Sequence, residues 1–110
     1  RDWLHVDDNC EAILKVLLNG KSGEIYNVGG GFELSNLETI RQILLKMNKS
    51  ESAIQYVADR KGHDYRYSVN TEKIRSELGF NPKIPFSSGL DSTIEWYVKN
   101  EKWWRPLKKQ

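Results

Sequence analysis

The sequence predicts an α/β fold of short strands and about four helices, and three observations predict it. Apolar residues recur at helical spacing in four stretches. Short apolar or alternating runs of strand length lie between them. Gly, Pro and Asn-Gly punctuation separates the two kinds of segment. Helices alternating with strands in this way are the pattern of an α/β chain.

Taken in order, Asp7 or Asp8 is placed to cap a first helix over residues 8–18. There Ile13, Val16 and Leu17 recur at helical spacing and Asn19-Gly20 ends the run. After a Lys21-Ser22-Gly23 turn, residues 24–28 read as a strand with Ile25 and Val28 inward, broken by Gly29-Gly30-Gly31. Ser35-Asn36-Leu37-Glu38 has the form of a capping box. The helix behind it carries Leu37, Ile40, Ile43, Leu44 and Met47 on one face. Residues 54–57 are the next strand, and residues 65–69 alternate and read as extended. Asn70 caps a short helix over residues 71–78, closed by Gly79. Pro82 and Pro85 hold an extended linker. Ser87 or Ser88 then starts a last helix through about Asn100, with Leu90, Ile94, Tyr97 and Val98 near one face.

Composition sets bounds on what such a chain does. At 110 residues, 38% hydrophobic and 29% charged, there is room for one small domain with a modest core and marginal stability. A net charge of +2 is too weak to point to nucleic acid, and no base-reading module is present. Lys102, Arg105, Lys108 and Lys109 read as a solvated basic tail. The lone Cys10 makes no internal disulfide; on the apolar face of the first helix it reads as a buried, inert thiol in a reducing, cytoplasmic setting. No apolar run approaches membrane-spanning length. The opening Arg1-Asp2-Trp3, without a Met, is expected to be the start of the C-terminal part of something longer.

The richest chemistry lies in Asp59-Arg60-Lys61-Gly62-His63-Asp64-Tyr65-Arg66-Tyr67. Arg presents a planar fork of donors that matches phosphate oxygens. His adds a donor or acceptor that switches near neutral pH, and Gly62 lets the backbone take positive φ or approach a ligand. The set suits an anionic ligand with a polar head group; a solvated charged turn is the alternative. Gly29-Gly30-Gly31 follows a strand but opens no helix, so a phosphate cradle and a simple strand end both stand. There is no G-x-G-x-x-G loop and hence no Rossmann core. A P-loop, a nucleophile elbow and a Tyr-x-x-x-Lys pair are also missing, and His5 and His63 lack zinc-ligand spacing. The chain therefore carries no catalytic residue and no metal site that its sequence reveals.

Five blocks occur in order: Arg1-Asp2-Trp3-Leu4-His5-Val6-Asp7-Asp8, Tyr26-Asn27-Val28-Gly29-Gly30, the Asp59–Tyr67 loop, Glu95-Trp96-Tyr97, and Asn100-Glu101-Lys102-Trp103-Trp104. Over essentially the whole chain they resemble the C-terminal third of the dTDP-glucose 4,6-dehydratases, a family of extended short-chain dehydrogenases/reductases. The resemblance implies a substrate-binding C-terminal portion, residues 1–110, whose Rossmann core and NAD site belong to a missing N-terminal portion. It implies a cytoplasmic lyase of cell-surface polysaccharide biosynthesis, a homodimer when complete, acting on a dTDP-sugar. That reaction oxidises C4 by hydride transfer to NAD, eliminates water across C5–C6 and returns the hydride to C6.

Matched position by position, the resemblance assigns Arg1 and Asn27 to the diphosphate. It assigns Asp59, Arg60, Lys61, Gly62 and His63 to the nucleotide and diphosphate side of the pocket, and Tyr97 to its cover. On residue chemistry alone each has a second reading. Asn27 satisfies loop backbone, Arg1 pairs with Asp2 or Asp7, His63 is a satisfied loop histidine and Tyr97 is helix core. Asp2 and Trp3 read as structural, and Trp103-Trp104 as packing against the absent portion. One departure is visible: the family's usual Pro is replaced by Lys61, which loses a fixed φ and gains a cation. Three alternatives remain: a stand-alone nucleotide-sugar module, a remnant without activity, and part of a related UDP-sugar epimerase or decarboxylase.

Overall fold

The computed structural model describes residues 1–108; Lys109 of the basic tail lies outside them. Five helices follow one another: α1 (Val6–Asn19), α2 (Asn36–Lys46), α3 (Glu72–Leu78), α4 (Phe86–Lys99) and α5 (Glu101–Trp104). Single 3-10 turns sit at Glu51–Ala53 and Arg105–Leu107. The expected α/β alternation is corrected to a mainly helical chain. Its β structure among the described residues is one antiparallel bridge, Asp2 to Glu33. Trp3 N–H donates to Phe32 O (3.0 Å) and Leu34 N–H to Arg1 O (3.1 Å), so residues 1–3 and 32–34 are paired.

Residues 24–28 and 54–57 have strand composition but form no ladder. A ladder needs a second backbone about 4.8 Å away, and among the described residues none pairs with them. Val57 and Ile25 are each 80% exposed. The predicted inward pair Ile25 and Val28 is half right. Positions three apart on an extended chain face opposite sides, and Tyr26 with Val28 takes the inner one.

Helix α1 begins two residues earlier than expected because His5, not Asp7 or Asp8, caps it. His5 Nδ1 accepts from Asp7 N–H at 3.2 Å. Asp8 has a different task. Its carboxylate is 2% exposed and accepts from Lys83 N–H (3.1 Å) and Ile84 N–H (3.0 Å). A buried carboxylate is tolerable only when such donors satisfy it. Here they clamp α1 to the extended segment between Pro82 and Pro85 and so set where α4 starts.

The core is small: Ala12 of α1, Ile74 of α3 and Phe80, flanked by Val16, Tyr26, Val28 and Leu78. Asp8, Ala12 and Val16, spaced by four, form the inner stripe of α1. Cys10, Leu14 and Leu17 fall on the opposite side and are exposed. The expectation of a buried Cys10 is corrected for that reason, since α1 is apolar on two sides and its own chain covers one. The radius of gyration, 16.8 Å, exceeds the roughly 13 Å of a compact domain of this length.

Helix α2 carries the predicted capping box. Ser35 N–H donates to Glu38 Oε2 (2.9 Å) and Glu38 N–H to Ser35 Oγ (3.2 Å). It packs on α4, with Lys46 Nζ on Asp91 Oδ1 at 2.6 Å. Asn70 Oδ1 accepts from Glu72 N–H at 2.8 Å at the start of α3, and Gly79 closes that helix at φ +61°. Gly89 in α4 lies against the His5 ring, where an added Cβ would sit 3.0 Å from Cδ2, so the two helices approach at a position without a side chain. The Trp103-Trp104 pair folds back on its own chain. Trp103 meets Trp96 edge to face (centroids 5.4 Å) and Trp104 Nε1–H donates to Tyr97 O at 2.6 Å.

Asp8→Ala leaves the part-buried backbone N–H groups of Lys83 and Ile84 without their acceptor. Hydrogen bonds to a charged group contribute about 1.5–3 kcal/mol each, so the variant should unfold at a clearly lower temperature than the parent. Asp8→Asn, which keeps one acceptor oxygen, should fall between. Equal midpoints for Asp8→Ala and parent in thermal unfolding followed by circular dichroism would show that the clamp is dispensable.

Candidate functional site

Residues 1–4 run along Gly29 and Gly30. A Cβ on Gly30 would lie 2.0 Å from Trp3 O, and one on Gly29 2.3 Å from Asp2 Oδ2. Gly29 and Gly30 thus serve a close approach within the chain. That approach carries Arg1 to the charged loop. Arg1 Nη2 contacts His63 Nε2 at 2.5 Å, and its guanidinium carbon lies 4.6 Å over the centre of the Tyr67 ring. His63 Nδ1 in turn meets Asp59 Oδ1 at 2.6 Å. The hydrogen bond from His63 holds the Asp59 carboxyl below its usual range.

The loop itself is a tight turn. His63 N–H donates to Arg60 O (3.3 Å), and Gly62 sits at φ +71°. A positive φ at the third turn position, with an ordinary residue before it, is the type II arrangement. Asp59 Oδ1 also accepts from Arg60 N–H at 2.9 Å, closing the entry to the turn. Arg60 and Lys61 are exposed at the tip.

Beyond the turn, Arg66 makes a two-pronged pair with Glu33: Nε to Oε2 at 2.6 Å and Nη2 to Oε1 at 2.7 Å. Ser68 Oγ–H adds a third donor at 2.9 Å. With Arg66 as the largest cause, the Glu33 carboxyl is drawn down to about 2. Tyr67 O–H donates to Asp64, which holds the phenol above its usual range. Glu33, Arg66 and Tyr67 are the residues the sequence assignment missed. The Arg and Tyr lie inside the charged block, but no spacing rule connects them to a glutamate 33 positions earlier.

The structure brings together Arg1, Asp59, Arg60, Lys61, Gly62 and His63. Asn27 is exposed just before the glycines. Tyr97 is elsewhere: it lines a groove of about 940 Å³ between α1, α2 and α4, with Trp3, Leu4 and His5, whose walls include neither Arg1 nor the loop.

With this geometry in view, comparison with known proteins is informative. The family model described as GDP-mannose 4,6 dehydratase matches residues 1–93. The chain belongs to that family. It is 54% identical over 108 residues to dTDP-glucose 4,6-dehydratase of Streptomyces niveus, covering 98% of this chain and 32% of that protein. Among solved structures it is similar to dTDP-glucose 4,6-dehydratase of Bacillus anthracis in complex with NAD (50% identity, TM-score 0.91). It is also similar to the dTDP-glucose 4,6-dehydratase DesIV of Streptomyces venezuelae, solved with NAD bound (48% identity, TM-score 0.94). Both matches cover 98% of this chain and 34% of the other. The chain thus spans about a third of the length of these members of the family, and the resemblance seen in the ordered blocks holds. No helix among the described residues is long and apolar enough to cross a membrane.

Two outcomes follow from the loop. Lys61 occupies the turn position that Pro favours, and its N–H has no partner among the described residues, so Lys61→Pro should be accepted. By restricting the unfolded chain it should stabilise by about 0.4–1 kcal/mol, read as a higher denaturant midpoint; a lower midpoint would exclude the type II turn. For Glu33 the folded value is depressed, so its contribution is complete above the unfolded value of 4.5 and is lost as pH falls through about 2. The Glu33 carboxyl carbon, followed by NMR, should titrate near 2, and an ordinary midpoint near 4.5 would mean that the Arg66 pair is not formed in solution.

Proposed function

We propose that residues 1–110 are the nucleotide-sugar-binding part of a dTDP-glucose 4,6-dehydratase, a cytoplasmic, homodimeric lyase that converts dTDP-glucose to dTDP-4-keto-6-deoxyglucose. The observation that carries this reading is the Arg1–His63 contact, formed between residues 62 apart in sequence and set beside a turn that exposes Arg60 and Lys61. Sequence identity of 54% to a relative of that name supports the choice of dTDP-glucose over other nucleotide sugars.

In this role Arg1 and Arg60 supply forked donors to the diphosphate, and Lys61 adds a point charge where the turn tip is open. Asn27 offers both a donor and an acceptor at the end of its extended segment. Gly62 keeps the turn tip free of a side chain. Tyr97, in the separate groove beside α4, is given no part in the Arg1–loop cluster. The contribution is binding energy and orientation, with no acid–base group assigned to this chain.

The chain's residues do not fit NAD. In the one run of glycines, Gly29 and Gly30 are packed against Asp2 and Trp3, and the run opens no helix, so the arrangement is not that of a dinucleotide cradle. On this reading NAD belongs to the part of the enzyme outside these 110 residues, and no redox step is assigned to the chain.

Arg60 is the test residue, because its side chain is exposed and makes no hydrogen bond or ion pair among the described residues. A charge-assisted hydrogen bond is worth about 1.5–3 kcal/mol, so Arg60→Ala should weaken dTDP binding by about ten- to a hundredfold in calorimetry at fixed salt. Arg60→Lys should recover only part, since an ammonium has no fork. Unchanged affinity in Arg60→Ala would make the loop a solvated turn.

A further inference from the structure

We infer that His63 is a positioning residue: Asp59 fixes its tautomer, and the imidazole then accepts from the Arg1 guanidinium and aims it. The inference rests on the assignment of Arg1 to the diphosphate, and it changes the role of His63 and Asp59 from ligand contacts to supports. The hydrogen-bond inventory compels it. A carboxylate only accepts, so the 2.6 Å contact to Asp59 requires the proton on His63 Nδ1. A guanidinium only donates, so the 2.5 Å contact to Arg1 requires a lone pair on His63 Nε2. Both ring nitrogens are then committed, and none is left for a phosphate oxygen.

Other contacts hold the arrangement rigid. The Tyr67 ring supports the face of the Arg1 guanidinium, and Tyr67 is itself tied to Asp64. The turn bond to Arg60 O fixes the His63 backbone, and its side chain is 27% exposed. Arg1 uses one of its five N–H groups on His63, which leaves a fork for the ligand, already oriented before binding. Outer supports of this kind are what keep a binding group within its productive geometry.

The second histidine is an internal control. His5 Nδ1 accepts from Asp7 N–H, which places its proton on Nε2, the nitrogen that faces Ser92 Oγ at 3.3 Å. The two imidazoles of the chain are therefore assigned opposite tautomers.

A two-bond 1H–15N correlation spectrum of the uniformly labelled 110-residue chain at neutral pH reads both. His63 should show the Nδ1–H pattern and His5 the Nε2–H pattern. Asp59→Ala, which removes the acceptor at Nδ1, should weaken the His63 preference, with Arg1 alone then holding it, and leave His5 unchanged, which also reports that the variant is folded. A His63 signal of the Nε2–H form, or one averaged as in free imidazole, overturns the proposal. Calorimetry with dTDP supplies the second arm. If His63 acts only through Arg1, the double variant Arg1→Ala/His63→Ala should bind no more weakly than Arg1→Ala alone. Additive losses would mean that His63 touches ligand and would overturn the positioning role. A parent chain that fails to bind dTDP while showing the expected tautomers would defeat the assignment of the site, not the relay.

Discussion

The buried carboxylate of Asp8 is the constraint on which the rest of this chain depends. A core of Ala12, Ile74 and Phe80 is too small to dictate how the later helices sit. Two backbone N–H groups, from Lys83 and Ile84, do that instead by ending on one side chain of α1. Because Pro82 and Pro85 already stiffen that stretch, a short clamp suffices to aim α4. The position of Gly89 against His5, the seat of α2 on α4 and the apolar groove between them all follow.

The site is organised by a different economy of contacts. Its frame is three residues of extended chain paired with three others, held close because Gly29 and Gly30 have no side chains to keep them apart. The exposed cations Arg60 and Lys61 hang from a single turn. In an expanded chain with one face of α1 bare, such local devices still fix side-chain geometry, because each polar group answers to a named partner and not to the general pressure of a core.

How much of this was legible in the sequence depended on the range of the interaction. The capping box at Ser35 and the Gly79 stop are written within a few residues, and the structure repeats them; Asn70 stands one residue ahead of the cap position, held by Thr71, and accepts from Glu72 N–H. The charged block stood out by composition, and Arg1, Asp59 and His63 do meet. What failed was whatever needs a distant neighbour. Residues 24–28 and 54–57 have strand chemistry, but strand assignment requires a second backbone, which composition does not supply. Cys10 shares an apolar face with Leu14 and Leu17, but hydrophobic periodicity does not tell which of two apolar faces its own chain covers. The caps and clamps by His5 and Asp8 went unread because Asp is the commoner N-cap, and a buried Asp has no local signature. Glu33 with Arg66, joined across 33 positions, lies beyond any pattern in the residues themselves.

The way the chain end folds back has an optical consequence. Trp96, Trp103 and Trp104 gather with Tyr97 at the junction of α4 and α5, in edge-to-face pairs 5.2–6.0 Å apart. Three of the four indoles are thereby close enough to share excitation energy, and the fourth, Trp3, sits apart beside Phe86. Intrinsic emission from this molecule is therefore a local gauge of one corner. It follows chiefly the docking of the last turn on α4.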